Sequence, residues 1–448
     1  MLRVAVVGSG PSGVYTAQSL VQLEPGALVD VLDRLPCPYG LVRYGVAPDH
    51  EKIKSLQNSL RAVLEHGRVR FLGGVLVGPG GVPAARLREL YDAVVYCVGA
   101  ATDRHLGIPG EELPGSWSAT EFVSWYSAHP DSTADGFVLG ARSAVVIGVG
   151  NVAVDVTRML ARGAAELSRT DIPQAALTAL AASGITDVHM AGRRGPSQAR
   201  FTTKELRELG GLPGTEVTVD PAELALDPGC LDLSALPGAQ RRNVEALRNW
   251  AALPPQGAPR RIHLRFFLRP VELLADAGRV GAVRFERTAP DGRGGVVGTG
   301  QFEKIEAQLV LRSVGYRGVP LDGLPFDAEH GTVPHLAGRV VREGRTVPGE
   351  YVAGWIKRGP TGVIGTNRPD AKETVTSLLA DAPMLVRRDP PEDPLLALRA
   401  EGIEPVEWGG WEAIERAEAE LGVSLGRGGV VKLPDWEALL AAAREAHT

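Results

Sequence analysis

Two segments of this chain repeat one pattern: a short apolar run, a turn with glycines two apart, then an amphipathic stretch. The first is RVAVVGSGPSGVYTAQSL, residues 3–20, and the second is AVVIGVGNVAVDVTRML, residues 144–160. The apolar runs read as buried strands. The apolar residues at 3–4 spacing that follow read as helices. Such a strand–turn–helix unit suits a dinucleotide, because the helix N-terminus offers unpaired N–H groups and partial positive charge to a pyrophosphate. Two such units, about 140 residues apart, predict an α/β chain with two Rossmann-like dinucleotide-binding domains.

In the first unit Gly8 permits the tight turn, Gly10 lets a pyrophosphate approach the backbone, and Gly13 lets the helix pack on the strand. Pro11 and Ser12 complete the loop. Asp33 ends the next strand, 25 residues after Gly8. A carboxylate there accepts hydrogen bonds from a ribose 2′-OH and repels a 2′-phosphate, which suits FAD or NAD.

The second unit has Gly148 and Gly150, with Ala153 in the third place and Asn151 and Val152 opening the helix. Where the first unit has its acid, this one has Arg193 and Arg194, after the strand VHMAG. Two guanidiniums pair well with a 2′-phosphate and have little use for an unphosphorylated ribose. The second nucleotide is therefore expected to be NADP(H). One cofactor that stays and one that exchanges would need this pairing if they trade a hydride.

At 448 residues the chain has room for two or three domains. A net charge of −5 argues against wholesale binding to nucleic acid. Cys37, Cys97 and Cys230 stand far apart, with no CxxC or CxxxxC, so no disulfide framework, iron–sulfur cluster or thiolate metal site is expected. The apolar run at the N-terminus breaks at Gly8, too early for a signal peptide, and no stretch reaches the length of a membrane span. A cytoplasmic protein is expected. VRFLGG and GVLVG read as a short hairpin, and 211–260 as irregular and rich in Pro and Gly. The tail after Pro390 reads as a packed, helical surface appendage, with 12 acidic against 5 basic residues over 390–448.

Four further segments are specific enough to mark a resemblance: PYGLVRYGVAPDHEKIK (38–54), GVGNVAVDVTRML (148–160), GRRGPSQARFTTKELREL (192–209) and GWIKRGPTGVIGTNRPDA (354–371). With them the chain resembles the ferredoxin–NADP reductases of adrenodoxin-reductase type, within the two-dinucleotide flavoprotein class that includes glutathione reductase. The resemblance implies three-layer domains of glutathione-reductase type. The FAD domain would comprise 1–103 and 320–448, and the NADP domain, 104–319, would be inserted in it. It implies NADPH:ferredoxin oxidoreductase activity: hydride from NADPH to FAD, then single electrons to an iron–sulfur protein that feeds a cytochrome P450 or similar acceptor.

For the site, the resemblance implies that Gly40, Leu41 and Gly99 belong with the FAD, and that Trp355, Gly362, Val363 and Ile364 lie against the isoalloxazine. His50 would lie near the flavin, with a helix cap as the alternative. Acids of the 203–209 helix, Glu205 and Glu208, would lie near the nicotinamide, although a solvated helix face explains Glu205 equally well. Residues 193–270 hold 12 Lys/Arg against 8 Asp/Glu, a basic stretch that could receive an acidic ferredoxin. The lack of a cysteine pair separates the chain from disulfide reductases. An electron-input subunit of a glutamate-synthase-like complex would carry a cysteine-rich N-terminal segment, absent here. A non-catalytic FAD/NADP sensor is the remaining alternative.

Overall fold

The computed structural model describes residues 1–132, 137, 140–386 and 392–447. The chain forms two compact units: residues 1–46, 50–102 and 315–448, and residues 47–49 with 103–314.

The first unit is built on a seven-stranded sheet. Its five parallel strands run, in spatial order, Arg345–Val352, Ala93–Tyr96, Arg3–Val7, Leu28–Leu32 and Val69–Leu72. Two short antiparallel strands, Arg339–Arg342 and His335–Leu336, extend one edge. Arg3–Val7 lies in the middle, and its apolar run fits because both of its faces are covered. Val4 and Val6 join the core formed with helices Pro11–Leu23 and Asn367–Asp381. Ala5 and Val7 join a second core on the other face.

The second unit has six parallel strands in the order Ser116–Ser118, Leu309–Arg312, Ser143–Ile147, Asp187–Ala191, Arg260–Arg265 and Thr215–Val219. Helices cover one face. On the other, an antiparallel meander of Leu268–Asp276, Arg279–Pro290 and Val296–Glu306 packs its Leu273, Val283 and Phe285 against Val145, Ile147 and Val310. This is the expected fold class: three layers around a parallel sheet.

Two local expectations fail. Residues 211–260 are not irregular: they hold Thr215–Val219 and the helices Pro221–Leu226, Pro228–Leu231 and Gly238–Ala251. Pro221 and Pro228 start helices rather than break them, since the first helical position has no N–H bond to lose. Asp220 and Asp227 cap these starts by accepting from the N–H of Ala222 and Gly229. Nor is there a hairpin at 69–78. Val69–Leu72 is a parallel edge strand, and Gly73 exchanges backbone hydrogen bonds with Val406 of the C-terminal segment. Among the described residues no helix is long and apolar enough to cross a membrane.

In the second unit His189 stacks on His263 with ring centroids 4.3 Å apart. Burial, then the neighbouring His263, hold the His189 pKa down to about 3. The unfolded chain takes up this proton near pH 6.5. The stability given by neutral His189 is thus fully present above that pH. It is lost as pH falls toward 3, by up to about 1.4 kcal/mol per pH unit. His189→Phe should therefore flatten the drop in melting temperature between about pH 6.5 and 4.5 in a thermal-shift series. An unchanged slope would show that another group carries the acid sensitivity.

Candidate functional site

The first glycine turn is shaped by contacts that leave no room for side chains. Gly8 has φ +109°, and a Cβ on it would stand 2.5 Å from the Cys97 carbonyl oxygen. A Cβ on Gly13 would stand 1.8 Å from the Gly8 oxygen. These two glycines make the turn and the helix–strand contact. Gly10 differs, because its missing side chain faces Gly40: a Cβ on Gly40 would lie 2.9 Å from the Gly10 Cα. Helix Pro11–Leu23 starts at Gly10 with no side-chain cap. The Ser12 hydroxyl, buried at that start, has no hydrogen-bond partner among the described residues. Unpaired N–H groups and an orphaned hydroxyl at a glycine-lined helix start fit a phosphate group of a dinucleotide.

Asp33 sits beside this turn. Its carboxylate accepts from the Ser9 N–H (2.8 Å), the Ser9 hydroxyl (2.6 Å) and the Leu35 N–H (2.9 Å). Burial raises its pKa, and the Ser9 hydrogen bonds oppose that shift. The acid thus braces the glycine turn, a role its sequence position did not reveal. Gly99, at φ +76°, has nothing within 4 Å of its Cβ position. Leu41 is exposed and Tyr39 and Gly40 both have positive φ.

Further along the same unit, strand Arg345–Val352 leads to Gly354 and the short helix Trp355–Arg358. Trp355 packs against Tyr316 with centroids 5.4 Å apart. Gly362, at φ +83°, would drive a Cβ into Thr366, and Val363 is 65% exposed. Ile364 opens the 3-10 turn that enters helix Asn367–Asp381. An exposed apolar residue on a glycine-rich loop before a helix start is a surface suited to a flat ring. Lys357 beside this loop escaped the sequence reading. It is buried and paired with Asp370 (3.0 Å) and Glu373 (2.6 Å), and Asp370 also accepts from the Gly354 N–H. His50 is buried at the N-cap position of helix Glu51–Lys54, but its side chain makes no cap hydrogen bond.

In the second unit, Gly148 has φ +137°, and its Cβ would meet the Ser313 oxygen at 2.1 Å. Gly150 has open space at its Cβ position. Helix Asn151–Ala161 starts there with no side-chain cap, and Ala153 and Val154 are fully buried. The turn is stitched to the arginine segment: the Arg200 N–H donates to the Val149 oxygen (2.9 Å), and the Thr202 N–H to Asn151 Oδ1 (2.8 Å). Arg193 is exposed and Arg194 half-buried. Burial, then the charges of Arg200 and Arg193, lower the Arg194 pKa. Arg194, Arg200, Thr202, Thr203 and Arg242 line a cavity of about 720 Å³. Arg200 was not foreseen as a site residue, because its closeness to the turn arises from a backbone hydrogen bond that spacing does not show.

The two acids of helix Thr203–Leu209 part ways. Glu205 is buried, and its carboxylate accepts from the hydroxyl of Thr202, the helix N-cap. Glu208 lies 3.5 Å from the Arg158 guanidinium. Arg158, itself buried, donates to Asp49 at 2.6 and 2.9 Å and pairs with Asp155 at 2.8 Å. Burial works against the Arg158 charge, yet the Asp49 and Asp155 carboxylates hold its pKa above the ordinary arginine value. Glu208 thus belongs to a fixed ionic cluster in the second unit, whereas His50 belongs to the first. The three thiols are free and buried. Burial pushes Cys37 up to about 11 and Cys97 and Cys230 up to about 12, so none is poised for exchange.

Two Rossmann-like units without a redox thiol pair define a class of two-nucleotide oxidoreductases. In agreement, residues 2–177 match the family model described as pyridine nucleotide-disulphide oxidoreductase. NADPH-ferredoxin reductase FprA of Mycobacterium tuberculosis is 48% identical over 84% of this chain and 83% of its own. The mitochondrial NADPH:adrenodoxin oxidoreductase of Homo sapiens is 40% identical over 95% and 89%. The structure of Mycobacterium tuberculosis FprA in complex with NADPH superposes with a TM-score of 0.93, at 44% identity over 99% of each chain. The chain belongs to the NADPH–ferredoxin and NADPH–adrenodoxin reductase family.

Two glycines two residues apart should respond differently to one methyl group. Gly148→Ala forces a clash with Ser313 and should lower the melting temperature by several degrees, on the order of 1–3 kcal/mol. Gly150→Ala meets nothing in the protein and should keep the wild-type melting temperature while raising the KM for NADPH about tenfold or more. A normal KM for NADPH in Gly150→Ala would remove the phosphate from that turn.

Proposed function

We propose that the chain is a FAD-dependent NADPH:ferredoxin oxidoreductase that holds FAD at its first cradle and NADP(H) at its second. The observation that carries this reading is the opposite charge that closes the two turns: Asp33 beside the first, and Arg193, Arg194 and Arg200 beside the second. FAD, when bound, supplies the capacity to accept a hydride and to release electrons singly. The protein supplies binding, orientation and exclusion of water.

On this reading the FAD domain comprises 1–103 and 320–448, with the NADP domain, 104–319, inserted. Gly8, Gly10, Pro11, Ser12 and Gly13 receive the FAD pyrophosphate, and Asp33 its ribose. Gly40, Leu41, Gly99, Trp355, Gly362, Val363 and Ile364 frame the remainder. Gly148, Gly150, Asn151, Val152 and Ala153 receive the NADP(H) pyrophosphate, and Arg193 and Arg194 its 2′-phosphate. His50 and Glu208 orient the reacting rings. Glu205 is left to the helix cap, since its carboxylate is already engaged there.

The electron acceptor on this reading is an acidic ferredoxin. The stretch 193–270 is net +4 in a chain of net −5, and helix Gly238–Ala251 carries Arg241, Arg242 and Arg248. Such local charge steers a protein of opposite sign. A cytoplasmic setting accords with three free, buried cysteines.

The purified chain should be yellow, and anaerobic NADPH should bleach its visible flavin band within seconds. Replacing Arg193 and Arg194 together by Ala should raise the KM for NADPH about 100-fold, from two lost charge-assisted contacts, and leave the KM for NADH unchanged. Equal changes for both coenzymes would contradict the 2′-phosphate role. A colourless chain that cannot be reconstituted with FAD would contradict the function.

A further inference from the structure

The acidic C-terminal tail packs on the first unit, and several of its side chains are buried there. Helix Trp408–Ser424 contributes Trp411, 1% exposed, and Glu418, 3% exposed, and the segment after it contributes Lys432, 2% exposed. All three meet one short turn, residues 39–44. The Arg43 guanidinium donates to Glu418 through Nη2–Oε1 (2.6 Å) and Nη1–Oε2 (3.1 Å). Lys432 Nζ donates to the Arg43 carbonyl (2.6 Å). Trp411 packs edge-on against the Tyr39 ring, with centroids 5.8 Å apart, and lies 5.0 Å from the Arg43 guanidinium. The tail is itself tied together there, since the Leu433 N–H donates to Glu418 Oε1 and the Val431 N–H to the Glu418 carbonyl.

That turn needs to be held. Tyr39 has φ +82°, a conformation that costs a non-glycine residue free energy and persists only where its surroundings impose it. Gly40, at φ +49°, is the residue pressed against Gly10, and the Tyr39 N–H donates to the Ser9 oxygen (3.1 Å). The turn therefore forms one wall of the first cradle. The buried Arg43 Nε–H beside it has no partner among the described residues.

We propose that the C-terminal tail is a working part of the flavin site: Glu418, Lys432 and Trp411 are positioning residues that hold the strained 39–44 turn against the first cradle and so govern how tightly FAD is retained. This rests on the reading that FAD occupies that cradle.

Glu418→Gln keeps the size of the side chain and removes its charge, and in the holoprotein it should speed FAD dissociation about tenfold or more, read as the rise in free-flavin fluorescence. The visible circular dichroism of the remaining bound flavin should change with it. Lys432→Met, which leaves the Arg43–Glu418 pair in place, should act in the same direction by a few-fold, and it carries the test if Glu418→Gln does not fold. Arg61→Ala is the control for mere docking of the tail. Arg61 pairs with Glu412 and Glu415 of the same helix and, unlike Glu418 and Lys432, makes no hydrogen bond to the turn among the described residues; only its charge reaches the Tyr39 hydroxyl. It should lower the melting temperature and leave the FAD dissociation rate at the wild-type value. Wild-type dissociation rates and dichroism in the folded Glu418 and Lys432 variants would overturn this inference alone. So would a rate in Arg61→Ala raised as much as in Glu418→Gln. A wild-type chain that takes up no FAD would overturn the inference and the underlying reading together.

Discussion

The carbonyl oxygen of Gly8 occupies the place where a side chain on Gly13 would begin, and the carbonyl of Ser313 does the same for Gly148. The first draws helix Pro11–Leu23 down onto its strand, and the second presses the Gly148 turn against the end of the neighbouring strand Leu309–Arg312. They also bring each helix N-terminus, uncapped by any side chain, to the end of a central parallel strand. The rest of the architecture serves to hold these approaches in place. Both central strands are covered on two faces, and the strand beside each closes the turn from the side. A uniform device thus produces two similar, uncapped helix starts. What distinguishes them is only what stands next to them.

Beside the first stands a half-buried carboxylate that spends three hydrogen bonds on bracing the turn, and a second loop pressed close enough to require glycine at Gly40. Beside the second stand three guanidiniums whose mutual repulsion and partial burial weigh against the charge on Arg194. Among the described residues no carboxylate pairs with these guanidiniums; like charges so assembled are costly, and an anion relieves that cost. The first cradle is accordingly braced on two sides, with its helix start uncapped and the Ser12 hydroxyl unpaired among the described residues, which suits a resident cofactor. The second is left with open space at Gly150 and unneutralised positive charge, which suits one that comes and goes.

Much of this was legible in the sequence, for a physical reason: glycine spacing, apolar runs and helix periodicity report local backbone constraints directly. The fold class, both turns and the arginine pair followed from them. What escaped was whatever depends on contacts between distant segments. The 211–260 stretch is rich in Pro and Gly, yet Asp220 and Asp227 make Pro221 and Pro228 helix starts. Gly73 looked like a hairpin turn because its true partner, Val406, lies more than 300 residues away. Arg200 reached the second turn through a backbone bond to Val149. Glu205 and Glu208, three apart on one helix, looked equivalent until the Thr202 cap claimed one and the Arg158 cluster the other. The tail was legible as a packed helical appendage, but not which polar residues pack, because Glu418 and Lys432 are buried through partners on the distant 39–44 turn.

The central claim is that a carboxylate and a set of guanidiniums sort two nucleotides between two otherwise similar turns. A crystal structure of the chain grown with FAD and NADP⁺ together tests it most directly. The expected density has the FAD adenosine ribose beside Asp33 and the NADP⁺ 2′-phosphate within hydrogen-bonding distance, about 3 Å, of Arg193 or Arg194. Density for NADP⁺ at the turn of Gly8–Gly13, or a 2′-phosphate turned away from every one of these arginines, would contradict it.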